Sequence, residues 1–504
     1  LSGCATLPMA PPAHPDPMHG WRLDCQLGAN EAARATWLQP CEARASHTVG
    51  PKQEVWLAVN PVDPANVVIA AKDNNPANSA SCTWNGVYVT KDAGRTWTDV
   101  VIGGPYAERK PGELWYGYAC NTDPMFRFAA DGTLHYAVEM YNLGGTNSHG
   151  QAGASPTTGR PILDLGWRLL LATSHDGGLN WTEVVDLVDG DGVAALNDYS
   201  RMAISPKTGS ILTAIGLLSG TDFTIPAIGA PEPVGGTARE TATHSYCWVT
   251  ASRDHGKSAD PAAVVAQDPP KGIACEAIAV APDGTVVLAG ETGGSAVGGL
   301  QSAGQHLFAR SVDDGRTFDA YGGGFGYKPM PGHLNSTRFR ASSGIELAFA
   351  QQGPHAGRLY ALYDAEDSGL GADVYMRHSD DLGRTWSNAS RVNQDAGQAD
   401  QWNGNFAVAG SSLHAFFMDR SHDAANHLID ITHAVSIDEG ATWTSERVSS
   451  VSYDGDLGVH QEGFPFIGDY IGTDAVGDDV WGGFPDASNG AVTVIAAAHV
   501  HRSG

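Results

Sequence analysis

Acidic, guanidinium and phenolic side chains gather at one recurrent place in this 504-residue sequence, where apolar strand-like runs begin. They are Asp123 and Arg127, Asp198, Tyr199 and Arg201, Glu276, Arg338 and Arg340, Trp402 and Asn403, and Asp469 and Tyr470. These are the groups that glycan chemistry would use. A guanidinium fork takes a carboxylate through two parallel hydrogen bonds, and carboxyls or a phenol can move protons at a reacting bond. The residue types leave one alternative open, a polar lining whose members only pair with one another. Other catalytic signatures are missing. The 19 histidines include no His-Glu-x-x-His pair, and the chain has no Gly-x-Ser-x-Gly elbow and no phosphate loop. The stretch HVHR, His499 to Arg502, reads as a strand end rather than a metal site.

The elements that must position these residues repeat. An apolar strand, a turn rich in Gly, Asp or Pro, and a second apolar strand recur seven times, in runs starting at Glu54, Asp123, Asp198, Cys275, Gly344, Asn405 and Phe466. After each of the first six comes a third strand, a polar turn and a fourth strand. The turn itself is copied: VTKDAGRTW ends at Trp97, SHDGGLNW at Trp181, SVDDGRTF at Phe318, SDDLGRTW at Trp386 and SIDEGATW at Trp443, with a degraded copy, SRDHGKSA, ending at Ala259. Asp92, Asp176, Asp254, Asp313, Asp381 and Asp438 hold the same position in each. The aspartate and the preceding Ser/Thr can accept bonds from the turn's own N–H groups, and glycine permits a positive φ.

Four-stranded antiparallel units repeated in this way bury both sheet faces against neighbours and make a β-propeller. The expected fold is all-β, with seven blades, or six if the first or last hairpin is an embellishment. The seventh unit has only three strands. Glu42 to Val49 is expected to supply the fourth and close the ring, which makes residues 42–504 one domain and residues 1–41 a Pro-rich tether with an N-terminal extension.

The formal charge of −26, from 30 basic and 56 acidic residues, excludes nucleic acid as an expected partner and disfavours direct contact with anionic membrane surfaces. The first residues, LSGC, resemble the lipobox of bacterial lipoproteins, with Cys4 the lipidated residue. A lipid on Cys4 would be the only membrane attachment, since no apolar run is long enough to span. The remaining six cysteines pair by proximity as Cys25–Cys41, Cys82–Cys120 and Cys247–Cys275, one of fifteen connectivities. Export follows as the expectation, to the outer membrane or cell surface, or else to the periplasm or medium.

The copied turn resembles the Asp box, or BNR repeat, of sialidase-like propellers. The resemblance covers the chain from about Glu54 onward and implies that the six aspartates are structural, on the rim away from the ligand face. Sialidases clamp a substrate carboxylate with three arginines and use a Tyr nucleophile helped by a Glu. The resemblance therefore points to Arg201, Arg338 and Arg420 as the clamp, with Tyr470 or Tyr199 and Glu276 beside it. The sequence departs from that pattern at the first arginine, because Glu54 to Thr90 contains none and GRPI at Gly159 follows the first box. The resulting expectation is a propeller that binds a glycan or an envelope protein at its channel face. The alternatives are a glycoside hydrolase or polysaccharide lyase, and a structural subunit of a surface assembly. No cofactor is required. DLVDGDG, with Asp186, Asp189 and Asp191, has the acid-glycine texture of a calcium loop but lacks the full spacing, and as an acidic surface turn it needs no metal, although calcium is possible there.

Overall fold

The computed structural model describes residues 18–25, 41–48, 50–75, 83–105, 108–110, 113, 115–116, 118, 120–141, 167–189, 195–219, 244–267, 274–292, 303–449, 451–458, 465–488 and 493–502. These residues form seven antiparallel sheets in chain order and contain no α-helix. The innermost strands are Lys52–Val59, Cys120–Phe128, Ala195–Ile204, Ala274–Val280, Ile345–Phe349, Gln401–Ala409 and Gly472–Val476. Each packs on the next and the seventh packs on the first, so the blades close into a ring around these strands.

Why the sheets stand face to face is visible in their burial. Strands such as Lys52–Val59, Trp167–Ser174 and Ser412–Asp419 are buried along their whole length, because both faces meet a neighbouring blade. At the closing seam Val55, Leu57, Val67 and Ile69 of blade one pack with Trp481 and Ile495 of blade seven.

The six copied turns seat each blade on the one before. In the fifth, the Ser379 hydroxyl donates to Asp381 Oδ1 at 2.8 Å while accepting from the Gly383 N–H at 2.8 Å. The Thr385 N–H donates to Asp381 Oδ1 at 2.8 Å and its hydroxyl to Oδ2 at 2.6 Å. Trp386 donates its indole N–H to the Gly383 carbonyl and packs on Phe308 of blade four. Gly383 itself has φ +77° and lies against Phe308, so a side chain there would be strained and crowded at once. The same pattern of bonds recurs around Asp92, Asp176, Asp254, Asp313 and Asp438.

Ring closure uses more of the N-terminal region than the sequence predicts. Ala43–Arg44 pairs with the last strand, Val494–Arg502, through Ala43 opposite Ala497. A second stretch, Trp21–Leu23, from the segment read as tether, pairs further along the same strand, with Trp21 opposite Arg502. Trp21 is fully buried, its edge on the His414 ring of blade six. Cys25–Cys41 joins these two stretches, and Cys247–Cys275 ties blade three to blade four. Cys120 is disulfide-bonded and Cys82 lies outside the described residues, as does Cys4. Among the described residues no helix is long and apolar enough to cross a membrane. The two disulfides fit an oxidising compartment.

Slight burial raises the turn acids, but the bonds from Thr385 and Ser379 outweigh it and hold Asp381 at about 2; Asp313 is held at about 2 by Thr317 and Ser311 in the same way. A folded value below the unfolded one of about 3.9 means a contribution that is full above about pH 4 and lost as pH falls through 2. Asp381→Ala is expected to lower Tm by roughly 1–3 °C at pH 7, from about 1–2 kcal/mol of lost bonds. The gap from wild type should close between pH 4 and 2, as followed by circular dichroism melts.

Candidate functional site

At one end of the channel, five of the seven innermost strands start with the same irregularity. The pairing register breaks around Glu54, around Asp123, around Tyr199, around Glu276 and around Asn403. Glu54, Asp123, Tyr199 and Asn403 all have positive φ, between 45° and 65°, and Gly468 takes φ 97° just ahead of the seventh innermost strand. These are β-bulges, which in each of these five blades free one side chain from the ladder and re-aim it. A non-glycine residue held at positive φ stores strain that the surrounding sheet must offset, and such strain gathers at functional sites.

The bulges bring a Tyr–Arg–acid centre together. Tyr470 donates its hydroxyl to Asp123 Oδ1 at 3.0 Å, and both are buried. The Tyr470 ring meets Trp56 and Tyr199 edge-on, at centroid distances of 6.3 and 5.8 Å. Into this group of rings goes the guanidinium of Arg201, 3.7 Å from the Tyr199 centroid, 5.0 Å from Tyr470 and 5.6 Å from Trp56. One Arg201 nitrogen donates to the Ser200 carbonyl at 3.0 Å, and Nη2 lies 3.8 Å from Glu346 Oε1, too far for a hydrogen bond. Arg201 is only 2% exposed, and its Nε and Nη2 have no hydrogen-bond acceptor among the described residues.

Charge around this centre is mixed. Burial works to lower Arg201, but the Tyr199, Glu346, Tyr470 and Glu276 side chains more than reverse it and hold the guanidinium charged. Burial and Asp123 push the Tyr470 phenol well above its ordinary value, so Tyr470 is the donor in its bond to Asp123. Glu346 is raised by burial against the pull of Arg201 and Arg127. Arg127 stacks on the other side of the group, 4.6 Å from the Trp56 centroid.

A second acid sits one bulge away. The buried Glu54 has its Oε2 2.5 Å from Nζ of Lys72, which is partly buried. Both partners are pushed up: Lys72 is held charged by Glu54 and Asp123 in spite of burial, whereas burial raises Glu54 to about 8 against the pull of Lys72, with Asp123 and Asp469 adding to the rise. Burial, with the neighbouring Asp123 and Asp469 carboxyls adding to it, is why Glu54 keeps its proton longer than an ion-paired acid would. Asp469 has its own cation, Arg340, in a two-pronged pair that stacks over Phe466.

No protein-family model and no curated protein matches this sequence. Among solved structures the chain is similar to a Hadza microbial sialidase at 15% identity and a TM-score of 0.44, over 86% of this chain and 75% of the other. It is also similar to an α-L-arabinofuranosidase of Fusarium graminearum, at 12% and 0.44 over 80% and 99%. A protein of unknown function from Dyadobacter fermentans aligns at 12% and 0.43 over 92% and 98%. At such identities and scores, what the site does has to be read from this chain's own side chains.

The residues expected from the sequence divide clearly. Tyr470, Asp123, Tyr199, Arg201 and Glu276 share one neighbourhood, with Arg127 behind Trp56 and the Arg340–Asp469 pair beside Phe466. Arg338 and Arg420 do not join Arg201. Arg338 is mostly exposed and held by Asp456. Arg420 is fully buried over Trp402 and Phe339, with Asp400 and the Asn426 carbonyl as partners. A three-arginine clamp on these residues is therefore not formed. Trp402 is core, and Asn403 braces the Gly468 carbonyl at 2.9 Å. Asp186 pairs with Arg168 at 2.9 Å, while Asp191 and the side chains of Asp189 and Asp198 lie outside the described residues. Glu54, Lys72, Trp56 and Glu346 were not singled out from the sequence. Glu54 opens a recurrent apolar run as Asp123 does, and that was the signal available for it.

Glu54 is raised in the folded protein, so its contribution to stability is complete below the unfolded value near 4.5 and is lost as pH rises through about 8. Glu54→Gln is expected to flatten the fall of Tm between pH 5 and 8.5, measured by differential scanning calorimetry. A wild-type and variant pair with parallel Tm–pH curves would remove Glu54 from this role.

Proposed function

We propose that the protein is an exported propeller, anchored by lipid at Cys4, whose channel mouth binds a saccharide carrying a carboxylate. The observation that carries this reading is the buried Arg201 guanidinium, caged by Tyr199, Tyr470 and Trp56 with two nitrogens that find no hydrogen-bond acceptor among the described residues. A buried donor left without a partner costs about 1–3 kcal/mol, which a ligand carboxylate would recover through charge-assisted bonds. The three rings offer apolar and cation-facing surface beside it, of the kind that sugar rings lie against. Recognition here would use one arginine rather than three, with Arg127, which also stacks on Trp56, as a second cation.

A second reading, glycosidic bond cleavage at the same place, is favoured by the Tyr470–Asp123 hydrogen bond. Asp123 is placed to take the phenol proton as Tyr470 attacks, and Glu54, still protonated near neutral pH, has the value that a general acid needs.

Glycan arrays followed by calorimetric titration test both. Carboxylated glycans are expected to bind, and Arg201→Met to weaken them tenfold or more while leaving Tm and neutral-glycan binding unchanged. Because the protein carries a charge of −26, association with an acidic ligand should speed up as salt is raised from low ionic strength. Failure to bind any glycan, or equal binding by wild type and Arg201→Met, sinks the recognition reading. Turnover of a fluorogenic sialoside or a uronic-acid polymer that drops at least 100-fold in Tyr470→Phe and Asp123→Asn would establish the cleavage reading.

A further inference from the structure

Away from the channel, the outer edge of blade seven carries a cluster that the channel chemistry does not use. His499 and His501 alternate on the strand Val494–Arg502 and so project from the same face. Asp24 follows Trp21–Leu23, the stretch that pairs with this strand, and its N–H donates to the His499 carbonyl at 2.8 Å. One ligand atom each from Asp24, His499 and His501 lies within 4.8 Å of the others.

Four details distinguish this cluster from a chance meeting of polar side chains. His499 is buried, yet among the described residues its Nδ1 has no hydrogen-bond partner and stands 3.6 Å from Asp24 Oδ2; His501 Nδ1 is likewise enclosed with no hydrogen-bond partner among the described residues. Two ligands each about 2.1 Å from a tetrahedral zinc ion stand about 3.4 Å apart, so the Asp24–His499 separation is close to a coordination edge. The opposite nitrogen of His499 is held by Asp479 Oδ1 at 2.9 Å. A neutral imidazole that donates Nε2–H to a carboxylate presents the Nδ1 lone pair, which is how metal-bound histidines are usually oriented. Trp481 stacks on the same ring at 4.4 Å and 11°, fixing its plane.

We infer that Asp24, His499 and His501 form a site for a divalent transition-metal ion of the zinc class. Two imidazoles and one carboxylate suit zinc, copper or nickel and do not suit calcium or magnesium, which take oxygen ligands. The fourth position is left to water. The ion fastens the N-terminal stretch to the last strand of blade seven, one residue from the Cys25–Cys41 disulfide, and so reinforces the seam that closes the ring. HVHR is thus both a strand end and a pair of ligands, a possibility that its sequence alone did not favour.

The test uses the untagged full chain, stripped with chelator and titrated with Zn²⁺ by calorimetry, with bound metal counted by mass spectrometry. One equivalent is expected, and Zn²⁺ should raise Tm. Asp24→Asn with His501→Gln, at partly exposed positions, should bind at least tenfold more weakly and lose the Tm rise, while its metal-free Tm and circular dichroism match wild type. Asp479→Asn should weaken binding 10- to 100-fold by releasing His499. The inference is overturned if wild type takes up no stoichiometric zinc, or if Asp24→Asn alone and the double variant both bind as wild type does.

Discussion

Each blade of this protein has two apolar faces and can bury both only if the ring closes. The seam therefore carries a burden that no single blade does. It is made by antiparallel pairing of Val494–Arg502 with two stretches separated by a disulfide-closed loop, and by the packing of Trp481 and Ile495 on blade one. Sequentially distant ends are joined there, at the full loop-closure cost of the chain, and stacking neighbours along the rest of the ring cannot substitute for it. The copied turns act in the same direction from the outside, with Gly178, Gly256, Gly315, Gly383 and Gly440 lying against the preceding blade.

Closure also makes the site. Only in a ring do the starts of seven innermost strands face a common axis, so that Tyr470 of blade seven can reach Asp123 of blade two and Arg201 of blade three can face Glu346 of blade five. None of these partners is near its mate in the chain. The centre is assembled by long-range topology from side chains that each blade contributes singly, which is how a scaffold of repeats comes to hold a non-repeating chemistry.

The architecture was legible in the sequence because the turns demand particular residues. Ser/Thr, Asp, Gly and Trp each satisfy a separate backbone group or contact in Ser379 to Trp386, and the Ser/Thr, Asp and Gly recur in all six copies, the Trp in four. The site was legible only in part. Positive φ at Glu54, Asp123, Tyr199 and Asn403 is imposed by the ring and leaves no glycine to mark it. Arg338 and Arg420 have the right side chain for a clamp, but the segment before Ile345–Phe349 carries the first out to Asp456, and the turn after Ser412–Asp419 folds the second back onto Asp400. Which carboxylate an arginine meets is decided by tertiary distance, which residue type does not encode. The Trp21–Leu23 strand was missed for a similar reason: three residues in a Pro-rich stretch show no strand period.

The register breaks at the starts of the innermost strands have a consequence for how such a protein can diversify. A residue that already stands outside the ladder contributes little to pairing, and its side chain looks away from the packed sheet faces. Glu54, Asp123, Tyr199 and Glu276 are therefore addresses at which a blade can change what it presents with little effect on its own strand pairing, whereas Asn403 also braces the neighbouring blade through the Gly468 carbonyl. Ligand preference in this architecture can drift by single substitutions, blade by blade, while the ring that holds the addresses in place stays the same.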